Sequence, residues 1–124
     1  MPGSRILIVD DEKTIADSLA LVFSKYGYET RAVYDAEQAI EIVKEWEPVL
    51  AIIDVILPNM SGIDLAVYLK AAYPALPVLL ISGQFVTESL IKDAANRGHH
   101  FEILAKPVPI PEMLRSASSL LATS

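Results

Sequence analysis

Five polar residues stand directly after apolar runs of this chain, where their side chains could do chemistry together. Each apolar run is rich in Val, Ile and Leu, which is typical of a strand buried on both faces of a parallel sheet. The carboxyl ends of parallel strands share one edge of the sheet, so we expect these side chains to lie close together. The five residues are Asp10, Asp11, Asp54, Ser82 and Lys106.

The chemistry that this set favours is phosphoryl transfer with a divalent metal ion. Three carboxylates in close quarters cannot all stay ionised without a cation, and Mg²⁺ accepts few protein carboxylates while keeping several waters. The adjacent Asp10 and Asp11 can offer one direct and one water-mediated contact to the ion. Lys106 can neutralise phosphate charge, and Ser82 can donate a hydrogen bond to a phosphate oxygen. An aspartate is also able to carry a phosphoryl group covalently.

Each of these residues alone has a simple structural explanation. An isolated acidic pair is usually a helix N-cap followed by a solvated first turn. A lone Asp after a strand is usually a turn residue, and a Lys-Pro pair is a weak signal by itself. The combination is more specific, because each group ends a predicted buried strand and all of them face the same edge.

The elements that position these residues alternate regularly between strand and helix. Five strands and five helices of this kind predict an α/β fold, a three-layer sandwich with right-handed crossovers. The first helix is predicted to bury a face that includes Tyr26 and to stop at Gly27. The predicted strands are Arg5–Val9, Tyr28–Val33, Val49–Asp54, Val78–Ile81 and Ile103–Ala105, and the later helices are Ala36–Trp46, Ile63–Tyr73, Val86–Arg97 and one introduced by Pro109 and Pro111.

Composition excludes several classes of function. The 124 residues suit one domain, residues 1–124, and the absence of cysteine rules out disulfides and cysteine metal sites. The net charge is −6 without a basic cluster, so we expect no direct nucleic-acid binding. No apolar run approaches the roughly 18 residues of a membrane span, and the first residues, Met1–Arg5, lack the charged-then-apolar layout of a signal peptide. We therefore expect a cytoplasmic protein that does not bind membranes.

The chain resembles the receiver domain of two-component response regulators almost from end to end. The first strand with Asp10-Asp11-Glu12 is similar to the family's acidic pair, and Asp54–Gly62 is similar to its phosphoacceptor segment. Ser82 stands where the family has its switch Ser or Thr, and Lys106-Pro107 matches its Lys-Pro signature. The resemblance implies a flavodoxin-like fold with a five-stranded parallel sheet in the order 2-1-3-4-5.

By this resemblance, Asp54 accepts a phosphoryl group from a histidine on a sensor kinase or phosphotransfer protein. Asp11, Asp54 and the backbone carbonyl of Ile56 would hold Mg²⁺, with Asp10 acting through water. Lys106 would contact the phosphoryl oxygens and pair with a carboxylate at rest. The protein would not be an enzyme, since it would catalyse only its own phosphorylation and dephosphorylation.

The resemblance also implies an output face, formed by the helix predicted over 86–97, the fifth strand and the last helix. That face would bind an unknown downstream partner or a second copy of the chain. The family's switch uses an aromatic residue three positions before the Lys, and this chain has Ile103 there, with Phe101 as the nearest aromatic residue. The residue after Lys-Pro is commonly Phe in the family and is Val108 here. We expect a modified switch or a different output surface.

Three other functions compete with this interpretation. The same fold could serve as an interaction module that needs no phosphorylation. Asp10 could instead be the nucleophile of a small phosphatase, since Asp10–Thr14 distantly resembles the haloacid-dehalogenase motif, although Glu12 replaces its second Asp. A flavin carrier fits least, because Asp10 and Asp11 would repel a flavin phosphate. The chain ends soon after its last helix, as expected of a single-domain regulator or of a piece of a longer protein.

Overall fold

The computed structural model describes residues 3–83, 92, 95, 96, 98 and 101–123. This part of the chain contains five strands and four complete helices. The strands are β1 (Arg5–Val9), β2 (Glu29–Val33), β3 (Leu50–Asp54), β4 (Val78–Ser82) and β5 (Glu102–Ala105). The helices are α1 (Lys13–Lys25), α2 (Ala36–Trp46), α3 (Gly62–Ala72) and α4 (Ile110–Thr123).

The strands form one parallel sheet in the order β2-β1-β3-β4-β5, so the predicted flavodoxin-like order is confirmed. Every residue of β3 and β4 is buried, whereas the edge strands β2 and β5 are partly exposed. This difference explains the continuous apolar runs of the central strands, because both of their faces are covered.

Helices cover the sheet on both sides and create two apolar layers. The first core cluster joins one face of the sheet to α2 and α3, through residues such as Val43, Trp46 and Leu69. The second core cluster joins the other face to α1 and α4, through Phe23 and Met113 among others. The predicted three-layer α/β architecture is therefore confirmed.

Local signals explain where two of the helices begin. The side chain of Asp35 accepts a hydrogen bond from the backbone N–H of Gln38 at 2.8 Å, and Ser61 accepts one from Asp64 at 3.1 Å. These are N-caps of α2 and α3, which satisfy donors that the first turn leaves free. α1 differs, because its N-cap residue Glu12 makes no side-chain cap hydrogen bond.

One prediction for α1 is wrong. Tyr26 is 63% exposed, whereas the helical spacing placed it on the buried face. The helix ends at Lys25, so Tyr26 lies outside the regular spiral and its side chain leaves the apolar stripe. Gly27 has φ +93°, the left-handed conformation that ends a helix, as its position predicted.

The helix predicted over 86–97 falls mostly outside the described residues. Within that range the described residues Lys92, Ala95 and Asn96 are helical. Among all the helices described, none has both the length and the apolar character that crossing a membrane requires.

Candidate functional site

Backbone hydrogen bonds join neighbouring strands of the sheet at their carboxyl ends. The backbone N–H of Lys106 donates to the carbonyl of Ser82 at 2.8 Å, and that of Val55 donates to Ile81 at 2.9 Å. The N–H of Asp10 donates to Val33 of β2 at 3.2 Å. The polar residues after the strands are therefore held by backbone hydrogen bonds at one edge of the sheet.

Lys106 lies at the centre of this edge and binds two buried carboxylates. Its Nζ is 2.8 Å from Oδ2 of Asp54 and 3.0 Å from Oδ2 of Asp10. The side chains of Asp10 and Asp54 are 0% and 5% exposed, and that of Lys106 is 20% exposed. Two buried carboxylates share one cation, so the cluster carries an excess of negative charge.

The second oxygen of each buried carboxylate is fixed by a backbone N–H two residues later. Glu12 N donates to Oδ1 of Asp10 at 3.0 Å, and Ile56 N donates to Oδ1 of Asp54 at 3.1 Å. Asx turns of this kind form when the chain bends directly after an Asp. Both carboxylates are therefore held on two sides, which fixes their orientation.

Burial and pairing act in opposite directions on the ionisation of this cluster. Burial raises the pKa of Asp10 above its ordinary value, although the hydrogen bonds from Glu12 N–H and Lys106 oppose the rise. Burial alone would lower the pKa of Lys106, but hydrogen bonds to Asp54 and Asp10 outweigh it and raise that pKa. The ammonium group thus stays charged. At Asp10 the effect of desolvation on the pKa is larger than the opposing effect of the hydrogen bond from Lys106.

Gly62 allows the loop after β3 to pack against Asp54. Its backbone N–H donates to the carbonyl of Val55 at 2.7 Å. A Cβ atom at this position would lie 1.9 Å from the backbone oxygen of Asp54. No residue except glycine fits there without a shift of the backbone, which explains the glycine at position 62.

The carboxylates fit a hard divalent ion. Ligand oxygens of Asp10, Glu12 and Asp54 lie within 4.8 Å of one another, and carboxylate oxygens are the ligands that Mg²⁺ prefers. Asp11, predicted as a ligand, is exposed and does not belong to this group. Glu12 was not singled out from the sequence, although its spacing of two from Asp10 could have indicated that it faces the same side.

Two further predicted site residues lie beside the cluster. Ser82 is fully buried and its hydroxyl donates to the carbonyl of Gly83 at 3.0 Å. Ile56 follows Asp54 by two residues and its side chain is 46% exposed at the surface of the site. The structure thus brings Asp10, Asp54 and Lys106 into direct contact. Ile56 is hydrogen-bonded to Asp54 through its N–H, and Ser82 is hydrogen-bonded to the backbone of Lys106 through its carbonyl.

The three residues of the predicted output face divide between the two sides of the sheet. Phe101, which directly precedes β5, and Ile103 both pack against the first core cluster. Val108 packs against the second core cluster. It also lines an apolar cleft of about 500 Å³ between α1 and α4, together with Ile15 and Leu19.

This cleft reaches the acidic cluster. Lys106 and Pro107 form its end, and the peptide bond between them is cis. The ammonium group of Lys106 is bound to Asp10 and Asp54, so the cleft presents mainly apolar surface beside the buried carboxylates.

Comparison with known families supports the resemblance noted in the sequence. The family model of the response regulator receiver domain matches residues 6–118, which is nearly the whole chain. Among solved structures, the receiver domain of NtrX from Brucella abortus is 33% identical with a TM-score of 0.85. That comparison covers 96% of this chain and 99% of the other.

Curated relatives are longer than this chain. The probable transcriptional regulatory protein TcrX of Mycobacterium tuberculosis is 30% identical over 116 residues, which are 94% of this chain and 49% of that protein. The DNA-binding response regulator MtrA of Mycolicibacterium smegmatis is 33% identical over 87 residues, 70% of this chain and 38% of that protein. The chain thus spans about half or less of these relatives. Because one is named a DNA-binding regulator, they give no support to the prediction that excluded nucleic acid.

Proposed function

This chain belongs to the response regulator receiver domain family, and we propose from that premise that Asp54 accepts a phosphoryl group from a phosphohistidine. The donor would be a sensor histidine kinase or a phosphotransfer protein. The observation that carries the proposal is the environment of Asp54, which ends β3 as a buried carboxylate held by Ile56 N–H and by Lys106. We treat residues 1–124 as one cytoplasmic receiver domain.

The transfer replaces one bond to phosphorus with another. A carboxylate oxygen of Asp54 bonds to phosphorus while the bond from phosphorus to the donor imidazole breaks, and the electron pair stays on the imidazole nitrogen. Lys106 would move its hydrogen bond from Asp54 to a phosphoryl oxygen, and the Ser82 hydroxyl would donate to another. Hydrolysis by water then restores the carboxylate, so the chain would catalyse only its own phosphorylation and dephosphorylation.

Mg²⁺ would be held by Asp10 and Asp54, by Asp11 once its exposed side chain turns towards the ion, and by the backbone carbonyl of Ile56. The excess negative charge of the buried cluster supports such a cation, since Lys106 balances only one of two buried carboxylates. Bound there, the ion would offset the charge that develops on the phosphoryl oxygens.

The apolar cleft between α1 and α4 supports a protein donor. A donor histidine must reach Asp54 from outside the sheet edge, and the cleft lines that approach with Leu19, Val108 and Met113. Burying these side chains against a partner would be favourable, because apolar surface leaves water. Phosphorylation would then change how the domain binds a downstream partner, through a face that includes Phe101 or Ile103, or through dimerisation.

Amide chemical shifts recorded with Mg²⁺ and beryllofluoride test the proposal. In the native protein we expect Mg²⁺ alone to shift the amides around Asp10 and Asp54. Beryllofluoride, which mimics an aspartyl phosphate, should add further shifts around Asp54 and Lys106 only when Mg²⁺ is present. Asp54→Asn should lose the beryllofluoride response. Asp10→Asn should weaken the Mg²⁺ response, while acetyl phosphate still labels Asp54.

Other outcomes favour the alternatives. A native protein that responds to neither reagent would be an interaction module that needs no phosphorylation. Covalent labelling that survives Asp54→Asn but not Asp10→Asn would identify the phosphatase chemistry instead.

A further inference from the structure

Three carboxylates, not two, surround the ammonium group of Lys106. Beyond its hydrogen bonds to Asp54 and Asp10, Nζ lies 3.7 Å from Oε1 of Glu12. That distance is an ion pair but too long for a hydrogen bond. The Glu12 side chain is 63% exposed, whereas the two aspartates are buried.

Glu12 is the only one of the three carboxylates that is free to move. The aspartates are each fixed by a backbone N–H on their other oxygen. In the described part of the chain, the Glu12 carboxylate has Lys106 as its only partner. A long, exposed side chain can change rotamer at little cost, so Glu12 can follow Lys106 if the ammonium shifts.

Helix formation does not explain a glutamate at position 12. Glu12 is the N-cap residue of α1, yet its side chain caps no backbone N–H. Ser, Thr, Asp and Asn are the residues that stabilise this position. The carboxylate beside Lys106 therefore gives the helix no cap hydrogen bond.

An ammonium group has three N–H donors. Two hydrogen bonds from Lys106 go to Asp54 at 2.8 Å and Asp10 at 3.0 Å, and the Glu12 carboxylate lies 3.7 Å away without a hydrogen bond to the ammonium group. Any group that engages Oδ2 of Asp54 removes the shortest of these bonds. A shift of about 0.7 Å would then bring Glu12 to ordinary hydrogen-bond length.

We propose that Glu12 is a positioning residue that takes over the Lys106 ammonium group when Asp54 is engaged. It would keep the ammonium at the sheet edge, facing the incoming phosphoryl oxygens, instead of letting it turn to solvent. This inference rests on the proposed function of Asp54. It assigns to Glu12 a role that depends on occupancy of the site, rather than a fixed role in the resting ion cluster.

The side-chain ammonium signal of Lys106 in ¹⁵N NMR tests this directly, because its hydrogens exchange slowly with water only while they are hydrogen-bonded. We expect Glu12→Ala to leave this exchange rate unchanged without metal, since Asp54 and Asp10 still hold the ammonium. With Mg²⁺ added, exchange should become about tenfold faster than in the native protein, the effect expected from losing a hydrogen bond between charged groups. Glu12→Gln should lie between the two.

Glu112→Ala is the matched control. Glu112 is an exposed glutamate in the first turn of α4, whereas Glu12 is the N-cap residue of α1, so the variant makes the same change in net charge near a helix start but away from Lys106. It should behave as the native protein does with and without Mg²⁺. Urea unfolding should give nearly the same midpoint for Glu12→Ala as for the native protein, because the variant loses no cap hydrogen bond and only an exposed ion pair.

Two results would overturn the inference. Lys106 exchange in Mg²⁺-loaded Glu12→Ala that matches the native rate would mean that Glu12 takes over nothing. Faster exchange already without metal would make Glu12 a fixed member of the resting cluster. A native protein without any Mg²⁺ and beryllofluoride response would instead overturn the proposed function, and the two failures are therefore distinguishable.

Discussion

The two ends of the sheet handle charge in opposite ways. At the carboxyl end, Asp10 and Asp54 are buried and share Lys106 at 3.0 and 2.8 Å. At the amino end, Arg5 and Glu29 form an ion pair at 3.4 Å, and their side chains are 44% and 51% exposed. The first arrangement removes carboxylates from water, and the second leaves both charges hydrated.

The amino end is organised around Trp46 instead. The guanidinium carbons of Arg5 and Arg31 lie 5.8 and 5.2 Å from the ring centre, within the range of cation–π contacts. Arg5 also donates to the backbone carbonyl of Trp46 at 2.6 Å. A nearby apolar cavity of about 470 Å³ lies between the end of α2 and the segment after α3. These contacts join elements without burying an ionised carboxylate.

This difference shows that the cost of burying charged groups falls at the carboxyl end of the sheet. Burying ionised groups is expensive even when they are paired, and well-packed apolar side chains often serve stability better. Such a cluster at one end of the sheet therefore indicates a role beyond stability. Hydrated ion pairs and stacked cations suffice where only packing is needed.

Removing the shared cation should have the largest effect. Lys106→Met leaves Asp10 and Asp54 buried without a counter-charge, so we expect the free energy of unfolding to fall by about 3–5 kcal/mol at neutral pH. Urea unfolding followed by circular dichroism measures this loss.

The loss should shrink as the pH is lowered from about 7 to about 5. A raised pKa means that the folded protein takes up a proton at Asp10 more readily than the unfolded chain does, so acid favours the folded state there. Protonation removes the uncompensated charge. A loss that stays constant over this range would contradict the explanation by buried charge.

Crowding the backbone of Asp54 should have the next largest effect. Gly62→Ala places a Cβ atom 1.9 Å from a backbone oxygen that cannot move aside freely, and we expect a loss of about 1–3 kcal/mol together with a weaker Mg²⁺ response. Gly83→Ala is the control at the same end of the sheet, since its Cβ would meet nothing within 4 Å. Equal losses in the two variants would show that close approach to Asp54 is not the cause.

Neutralising the amino-end pair should have the smallest effect. Glu29→Gln removes an exposed ion pair with Arg5, so we expect a loss below about 1 kcal/mol that disappears at high salt. Urea unfolding at low and high salt measures it. If Glu29→Gln lowered the free energy of unfolding as much as Lys106→Met does, the proposed difference between the two ends of the sheet would be wrong.

Much of the site could be predicted because each of its residues ends a buried strand. The apolar runs predicted the strands β1, β3 and β5, and continuous runs of this kind are typical of a parallel sheet. Parallel strands have their carboxyl ends at one edge, so Asp10, Asp54 and Lys106 were expected at the same edge. The strand order also agreed with expectation. Phe101 and Ile103 pack on the same core cluster, as a spacing of two predicts when the extended backbone begins just before β5.

What escaped prediction depends on backbone beyond the regular elements. Glu12 faces Lys106, while Asp11 is exposed, because of how the chain turns between β1 and α1. Val108 follows the end of β5, where alternation no longer applies, and it packs on the opposite side from Ile103. Tyr26 lies one residue after the end of α1. The apolar spacing alone did not show that the helix ends before this residue, so its exposure was not predicted.

The position of Trp46 has a practical consequence for optical experiments. It is the only tryptophan of the chain, and it packs against Arg5 at the start of β1, whereas Asp10 follows the end of that strand. Arg5 and Asp10 are five residues apart along an extended chain, a separation of roughly 16 Å. Its fluorescence should therefore follow unfolding, which removes both arginines from the ring, yet remain silent when a metal ion or phosphoryl group arrives at the other end. Tryptophan fluorescence would therefore measure how much of the protein is folded, whether or not the site at Asp54 is occupied.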